Sequence, residues 1–393
     1  MLYIILILII SLTLFIITQY LRVKHEYDIE YEKDKQEYIE QFNTEQQLPL
    51  ESKLLKYHNI SIQFKNASDA RKLITSTSDT SDTSKTSETL HTQYTQYIQY
   101  IQNMNQPNIL ARGCFSKDEL YNKYLDAFSD IGVNERQKIL KFILDLLDKV
   151  KTRNTSYYNY LCYWIKTISI AKAKPWLESG MPHTLENTII MDASWFANPR
   201  INTFIHEITH VHQRLISFEY EDLYKELGYK EYKKGIITIK GMNSVIALNR
   251  NNPDGLSPNW LWYDKQTKTY WWIGAVFSNI TPSSLTDVSN IALKLECDNN
   301  DDNNDNNDIT HKIFYYLKQQ PVLLNSLTNF NVFFGNNLNN YHPNEMTAKF
   351  SEWYLAYILG NTQDTQDTQE TQLNEGFKIY KKYFDYLTQT FYK

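Results

Sequence analysis

The chain has 393 residues and a formal net charge of −5, and 42% of its residues are hydrophobic. This length allows one large domain or two ordinary ones, and the weakly acidic balance gives no sign of nucleic-acid binding, so no nucleic-acid partner is expected. Only three cysteines are present and they are widely spaced, which argues against a disulfide framework and excludes a CxxC zinc site.

The N-terminus carries an apolar run at residues 2–18 that contains no charged side chain. This run is close to the shortest length that spans a bilayer. No basic residue precedes it and no small-x-small cleavage site follows it, so an uncleaved anchor is favoured over the alternative, a cleaved signal peptide. We therefore predict a transmembrane anchor at residues 1–22, with residues 2–20 in contact with lipid.

The orientation of this anchor is predicted from the basic residues that follow it, which are Arg22, Lys24, Lys33 and Lys35. By the positive-inside rule, they place the main domain of a single-pass membrane protein on the cytoplasmic side. Four glycosylation sequons are compatible with the opposite, lumenal side, and they begin at Asn59, Asn66, Asn154 and Asn279.

A charged stalk and a low-complexity linker are predicted over residues 23–106. Charged residues and regularly spaced aromatic residues at 26–47 favour a solvated helix. The Thr/Ser/Asp tract at 75–89 has nothing to bury and is predicted to be disordered. Two similar tracts, near 298–308 and 362–372, are predicted to be disordered inserts in the domain that follows. Tracts of this kind are typical of AT-rich genomes, including those of large DNA viruses.

From residue 107 onward the composition is that of a globular domain, and we predict one α+β domain over 107–393. Its first helices are predicted at 116–128, 134–151 and 156–173, from a capping box and from apolar residues on one face. A β-hairpin that carries four tryptophans is predicted at 259–277.

A predicted helix at residues 200–218 contains the sequence His-Glu-Ile-Thr-His at 206–210. His206 and His210 are four residues apart, so both imidazoles project from one face of the helix and can bind one Zn²⁺ ion. Glu207 is then placed to take a proton from a water at the metal. The alternative is an exposed helix with two incidental histidines. His212 lies well off this face and is expected to be a surface or packing residue.

A catalytic zinc ion needs a third protein ligand. The candidates are Glu345, His342 and Glu352, at or within a helix that is predicted to begin near Pro343. Glu345 is the favoured ligand. Glu352 is an alternative ligand, or the carboxylate that orients a zinc-bound histidine. Glu345 could also do no more than stabilise the N-terminus of its own helix.

These segments resemble the gluzincins, a branch of the zincin metallopeptidases, over about residues 183–216 and 341–358. The resemblance implies a small sheet beside the motif helix, a mostly helical second part, and a third-ligand glutamate on a downstream helix. It also implies a strand, at residues 189–192, that pairs with an extended substrate. Lys349 departs from one gluzincin pattern, which has an acidic residue at that position.

The sequence thus predicts a membrane-anchored zinc-dependent metallopeptidase with a peptide or protein substrate. Zn²⁺ would be bound by His206, His210 and Glu345, and Glu207 would transfer the proton from the attacking water to the leaving amine. The candidates for an oxyanion donor are Tyr341, His342 and Tyr354. Two alternatives remain: a non-catalytic membrane-anchored structural or virion protein on a zincin-like scaffold, and a stalk protein in which the motif occurs by chance.

Overall fold

The computed structural model describes residues 58–75, 96–231, 238–240, 243–254, 260–297, 313–316, 321–335, 341–360 and 374–392. The chain divides into two compact units, residues 1–61 and 62–393, and the elements below belong to the second. The predicted anchor at 1–22, the stalk helix at 26–47 and the low-complexity tracts lie outside the described residues, apart from Thr75. Within the described part of the chain, no helix is both long enough and apolar enough to cross a membrane.

The second unit combines helices with two β-sheets, which confirms the predicted α+β class. Its strands are β1 (Gln63–Phe64), β2 (Phe128–Ser129), β3 (Ser169–Ala173), β4 (His183–Leu185), β5 (Thr188–Asp192), β6 (Tyr229–Glu231), β7 (Thr238–Lys240), β8 (Trp260–Asp264), β9 (Thr269–Phe277), β10 (Val288–Cys297), β11 (Ile313–Tyr316) and β12 (Val322–Leu323). Its helices are α1 (Ala67–Thr75), α2 (Gln96–Gln102), α3 (Gln106–Leu110), α4 (Lys117–Tyr124), α5 (Val133–Arg153), α6 (Thr155–Ile165), α7 (Ala193–Ala197), α8 (Ile201–Leu215), α9 (Ser217–Glu226), α10 (Asn243–Ile246), α11 (Thr328–Phe334), α12 (Pro343–Leu359) and α13 (Glu375–Phe391).

Local sequence signals account for the helices that open the domain. The Ser116 hydroxyl accepts a hydrogen bond from the Glu119 backbone N–H at 3.1 Å, which caps α4 as predicted. The Glu119 carboxylate accepts from the Phe115 N–H, one residue before the cap. Along α5, apolar side chains recur at helical spacing and are buried, from Ile139 to Val150. Both predicted helices are therefore confirmed, with shifted ends.

The predicted helix at residues 156–173 is only half correct. α6 ends at Ile165, and Ser169–Ala173 forms strand β3 instead. β3 lies in the middle of a sheet, and four of its five residues are buried. A buried strand has a nearly continuous apolar sequence, which local periodicity does not distinguish from a buried helix.

The first sheet has the strand order β1-β3-β5-β4, and β2 pairs with the far end of β3. β1, β3 and β5 are parallel, whereas β4 is antiparallel to β5 and forms the edge of the sheet. α8 packs against β4 and β5. This sheet therefore presents its antiparallel edge strand beside the helix that carries the His-Glu-Ile-Thr-His sequence.

The second sheet contains the predicted hairpin, formed by β8 and β9 around a turn at Lys265–Lys268. Its strand order is β6-β8-β9-β10-β11-β7, and β12 pairs with β10. The expectation of a mostly helical second part is therefore wrong. In β10, Ile291, Leu293 and Leu295 are buried at every second position, which is the pattern of a strand with one face inward.

α8 and α12 pack side by side, although they are far apart in the sequence. The Thr209 hydroxyl on α8 donates a hydrogen bond to the Ser351 hydroxyl on α12 at 2.7 Å. Ala348 is fully buried, and its small side chain allows the two helices to approach closely. This contact brings the first turn of α12 to the histidine face of α8.

A buried ion pair joins the turn after α3 to the turn before β4. Two nitrogens of the Arg112 guanidinium donate to the Glu178 carboxylate, at 3.0 and 2.7 Å, and both side chains are almost completely buried. The Tyr124 and Tyr100 hydroxyls donate to the same carboxylate. Burial alone would raise the pKa of Glu178, but the charge and hydrogen bonds of Arg112 outweigh this and lower it.

Removing one partner of this pair is expected to be strongly destabilising. In Arg112→Ala the Glu178 carboxylate stays buried without its counter-ion, which should lower the free energy of unfolding by about 3–5 kcal/mol at neutral pH. Urea denaturation followed by tryptophan fluorescence measures this loss. Arg153→Ala, at the exposed end of α5, is the matched control and should stay close to the parent.

The same ion pair predicts the direction of a pH effect. Because the folded-state pKa of Glu178 is lowered, its stabilisation is present above its unfolded pKa of about 4.3 and is lost as the pH falls through the folded pKa. The parent should therefore lose stability faster than Arg112→Ala over the acid range. Parallel acid titrations of the two proteins would contradict this assignment.

Candidate metal centre

The two histidines of α8 and a glutamate of α12 come together at one point. Glu345 Oε2 lies 3.3 Å from His206 Nε2 and 3.8 Å from His210 Nε2. The three donor atoms are all within 4.8 Å of one another, a grouping that could hold a metal ion. Two imidazole nitrogens and one carboxylate oxygen are a donor set that suits Zn²⁺ and leaves one coordination position free.

The second nitrogen of each imidazole faces a hydrogen-bond acceptor. His206 Nδ1 lies 2.9 Å from Glu352 Oε1, and His210 Nδ1 lies 2.8 Å from Gln213 Oε1. The Gln213 amide is oriented by its own donation to the Asn344 carbonyl and the Thr347 hydroxyl. Each Nδ1 therefore carries a proton and donates it, so that both Nε2 atoms are the ones turned toward Glu345.

Glu352 thus lies in the orienting position rather than among the three grouped donors. Its other oxygen, Oε2, accepts from Lys349 Nζ at 2.9 Å. Lys349, the departure from the gluzincin pattern, is therefore the counter-ion of this carboxylate. His342 is not among the grouped donors either, because its Nδ1 accepts from the Asn344 N–H and caps α12.

Weakening of the metal site is expected when Glu352 is replaced by Gln. The change keeps the size of the side chain but removes the charge that orients His206, so zinc affinity should fall by about 10–100-fold. Competition with a chromophoric chelator measures this affinity. An unchanged affinity would contradict the orienting role. Lys349→Met tests the counter-ion in the same assay and should have a smaller effect.

The electrostatics of the group favour a positive charge between its carboxylates. Burial would lower the pKa of His206, but hydrogen bonds to Glu345 and Glu352, together with the charges of Glu345 and Glu207, raise it well above its ordinary value. Burial would likewise raise the pKa of Glu345, yet His210 and His206 lower it to about 2. The Glu345 carboxylate therefore stays ionised and attracts a cation.

Two buried polar atoms in this group have no hydrogen-bond partner among the described residues. They are His210 Nε2 and Glu207 Oε2. An unpaired buried polar atom is costly, and a shared ion with a coordinated water would satisfy both. Burial, reinforced by the charge of Asp254, raises the pKa of Glu207 well above its ordinary value. The residues present therefore fit a bound zinc ion.

A cavity of about 280 Å³ opens onto the group, and His206, Glu207 and Glu345 all line it. Tyr341, one of the predicted oxyanion donors, also lines this cavity, with its hydroxyl 3.5 Å from Glu345 Oε1. Tyr354 is buried elsewhere, and its hydroxyl donates to Asp385 of α13. Of the three candidate donors, Tyr341 is the one that the structure brings to the cavity.

The remaining histidine of α8 is a packing residue, which agrees with its predicted position off the metal-binding face. His212 is fully buried, and its Nδ1 lies 2.6 Å from the Tyr160 hydroxyl and 3.0 Å from the Tyr220 hydroxyl.

Several residues around the candidate metal centre were not predicted from the sequence. Asn252 Nδ2 donates to Glu345 Oε1 at 2.7 Å, so the oxygen that faces away from the histidines is also held. Arg214 and Asp254 form an ion pair at 3.3 Å beside β4. Gln213 was detectable from its position three residues after His210, since such pairs meet on a helix. No local signal identifies Asn252 or Asp254.

The prediction that residues 189–192 pair with a substrate is wrong. Residues 189–192 belong to β5, which pairs with β3 along its whole length and with β4 over its first half. The edge strand beside α8 is β4 instead. The reason is topological: β4 comes just before β5, pairs with it in an antiparallel hairpin and covers the side that a substrate would use.

Comparison with known proteins adds no relative. The chain matches no protein-family model, no curated protein and no solved structure.

Proposed function

We propose that this chain is a zinc-dependent peptidase of the gluzincin type. The observation that carries the proposal is the position of the Glu345 carboxylate, which approaches Nε2 of both His206 and His210 while the opposite nitrogen of each imidazole is held by an acceptor. A chance pair of histidines on a helix would not need Glu345 and Glu352, which come from a distant helix; Glu352 is 146 residues from His206.

His206, His210 and Glu345 would hold the ion. When bound, Zn²⁺ would supply Lewis-acid polarisation of the scissile carbonyl and would lower the pKa of the attacking water. Glu207 is buried beside the ligands, and its Oε2 has no hydrogen-bond partner in the part of the chain that the structure describes. It accepts a proton from the attacking water and returns that proton to the leaving amine.

Tyr341 and the segment around Arg250 contribute to the wall opposite the histidines. Arg250 Nη2 donates to the Tyr341 hydroxyl at 3.1 Å, and Asn252 also donates to it. These two bonds fix the hydroxyl oxygen, and its own proton points at Glu345 Oε1, 3.5 Å away beside the cavity. We therefore propose Tyr341 as the donor that stabilises charge developing on the scissile carbonyl oxygen.

The proposed enzyme is anchored to a membrane by residues 2–18, with its main domain on the cytoplasmic side. This part of the proposal rests on the apolar run and on the basic residues that follow it. Its test is independent of catalysis. Expression in a eukaryotic host followed by glycosidase treatment should show no modification of the four sequons.

The test of peptidase activity is the cleavage of a random peptide library by the full chain loaded with one equivalent of zinc. Mass spectrometry of the products should show new peptide termini that disappear on chelation and return when zinc is restored. His206→Ala should lack both zinc and activity. Zinc bound at one equivalent without any cleavage would favour the second candidate, a non-catalytic scaffold.

A further inference from the structure

The edge strand β4 offers one outward-facing set of backbone groups beside the metal site. His183 and Leu185 are register partners of Ile190 and Thr188, with Thr184 between them. In an antiparallel pair, backbone groups point toward and away from the partner at alternate residues. The N–H and C=O of Thr184 point away from β5, because both bond to groups outside the sheet. An extended peptide lying along β4 would pair with these two groups.

Both outward groups of Thr184 are already occupied from within the chain. Its N–H donates to Asp254 Oδ1 at 2.7 Å, and its hydroxyl donates to the same oxygen. Its carbonyl accepts from Arg214 Nη2 at 2.9 Å. Asp254 and Arg214 are themselves an ion pair, and both side chains are about nine-tenths buried or more. The position for a pairing strand is thus filled by side chains.

The segment that carries Asp254 also reaches the metal ligands. Residues 249–254, here named the strap, place Asn252 against Glu345 and Asn251 against the first helices of the unit. Asn108 holds the strap from that side. Its Nδ2 donates to the Asn249 carbonyl, and its Oδ1 accepts from the Asn251 N–H, both at 2.8 Å. The strap is therefore fastened at β4, at the metal site and at α3, and its first residues are bound to β9 by the hydrogen bond from the Arg250 N–H to the Ala275 carbonyl at 2.8 Å.

A second cavity lies on the other face of the strap. It measures about 760 Å³, and it is lined by Leu185 of β4 together with Tyr229 and Trp260. Arg250, Asn251, Asn252 and Pro253 line both this cavity and the cavity at the metal site. The strap lies between the two cavities, so residues 251–254 have space to move away from β4 while Asn249 and Arg250 stay bound to β9.

We propose that the strap acts as an internal pseudo-substrate, which occupies the place of a peptide along β4 and must swing into the second cavity before an extended peptide can bind. The proposal rests on the proposed peptidase function. Asp254 and Asn108 make two of these fastenings, and each can be loosened without changing a metal ligand. Only open molecules can bind a peptide. The apparent affinity is therefore the affinity of the open form multiplied by the fraction of molecules that are open.

The experiment measures peptide binding separately from cleavage. Zinc-loaded full chain carrying Glu207→Gln is titrated into fluorescent random octapeptides, and binding is followed by anisotropy. Adding Asp254→Ala or Asn108→Ala should tighten binding by about tenfold or more, because more molecules are open. Asp222→Ala, which removes an exposed aspartate paired with Lys225 on α9, is the matched control and should bind as the parent does. Hydrogen exchange at the Thr184 amide should accelerate in Asp254→Ala.

The outcomes separate the two proposals. Tighter binding in either loosened variant supports the strap, and if one variant does not fold, the other decides. Parental affinity in every folded, zinc-loaded loosened variant overturns the strap. Cleavage is then assayed with Glu207 intact. Tighter binding in a loosened variant, with no cleavage by any variant, supports the proposal for the strap and contradicts the proposed peptidase function. Cleavage by the parent, with no gain in affinity in the loosened variants, supports the peptidase function and contradicts the proposal for the strap.

Discussion

Glu207→Gln is expected to reduce peptide cleavage by about 10²–10⁴-fold, the usual contribution of a positioned general base and acid. Gln is close to Glu in size and can still accept a hydrogen bond, but it cannot take a proton from the attacking water. Because Glu207 is not one of the three grouped donors, the zinc content should stay at one equivalent. The expected result is therefore a loss of turnover with the metal retained.

This result is measured by metal analysis and product formation on the same preparation. Glu226→Gln, at the exposed end of α9, makes the same chemical change away from the site and should leave both quantities unchanged. Retained cleavage in Glu207→Gln would show that another group moves the proton. A simultaneous loss of zinc would show that Glu207 coordinates the metal or supports its ligands.

Glu345→Ala is expected to remove the zinc site almost entirely. The substitution leaves two imidazoles, and it also leaves Asn252 Nδ2 without the carboxylate oxygen that accepts its proton. The loss of affinity should exceed the roughly 10–100-fold loss expected when an orienting residue is changed. Equilibrium dialysis with zinc at stoichiometric concentration is the measurement, and no peptide cleavage is expected at any stage.

Two comparisons make this prediction specific to Glu345. Glu375→Ala changes another glutamate in the first turn of a helix, exposed on α13, and should bind one equivalent of zinc. Glu352→Ala distinguishes the two candidate carboxylates of α12. If Glu345→Ala keeps its zinc while Glu352→Ala loses it, the ligand and the orienting residue are exchanged and the assignment made from the distances is wrong.

Much of the helical structure follows from the sequence because helix signals are local. The apolar face of α5, the Ser116 cap of α4 and the four-residue spacing of His206 and His210 each lie within a few turns of chain. A local feature also indicates Glu345 as a ligand candidate, because Pro343 marks the start of α12 and Glu345 lies in its first turn. The sequence therefore predicted which residues meet along each helix.

The tertiary structure decided the contacts between segments that are far apart in the chain. β3 is a strand because β1 and β5 lie on either side of it, and β4 rather than β5 became the edge because of the order in which the strands return. Local periodicity contains no information about such neighbours.

The contacts around the candidate metal site also join segments that are far apart in the chain. Glu352 meets His206 across 146 residues, and Asp254 meets Thr184 across 70 residues. Single polar residues in irregular segments carry no periodic pattern, so nothing in the residues around Asp254 or Asn252 reveals the partner of either. The sequence alone determined which polar groups α8 presents on one face. The packing of α12 and the strap against it decided which groups complete the site and which cover it.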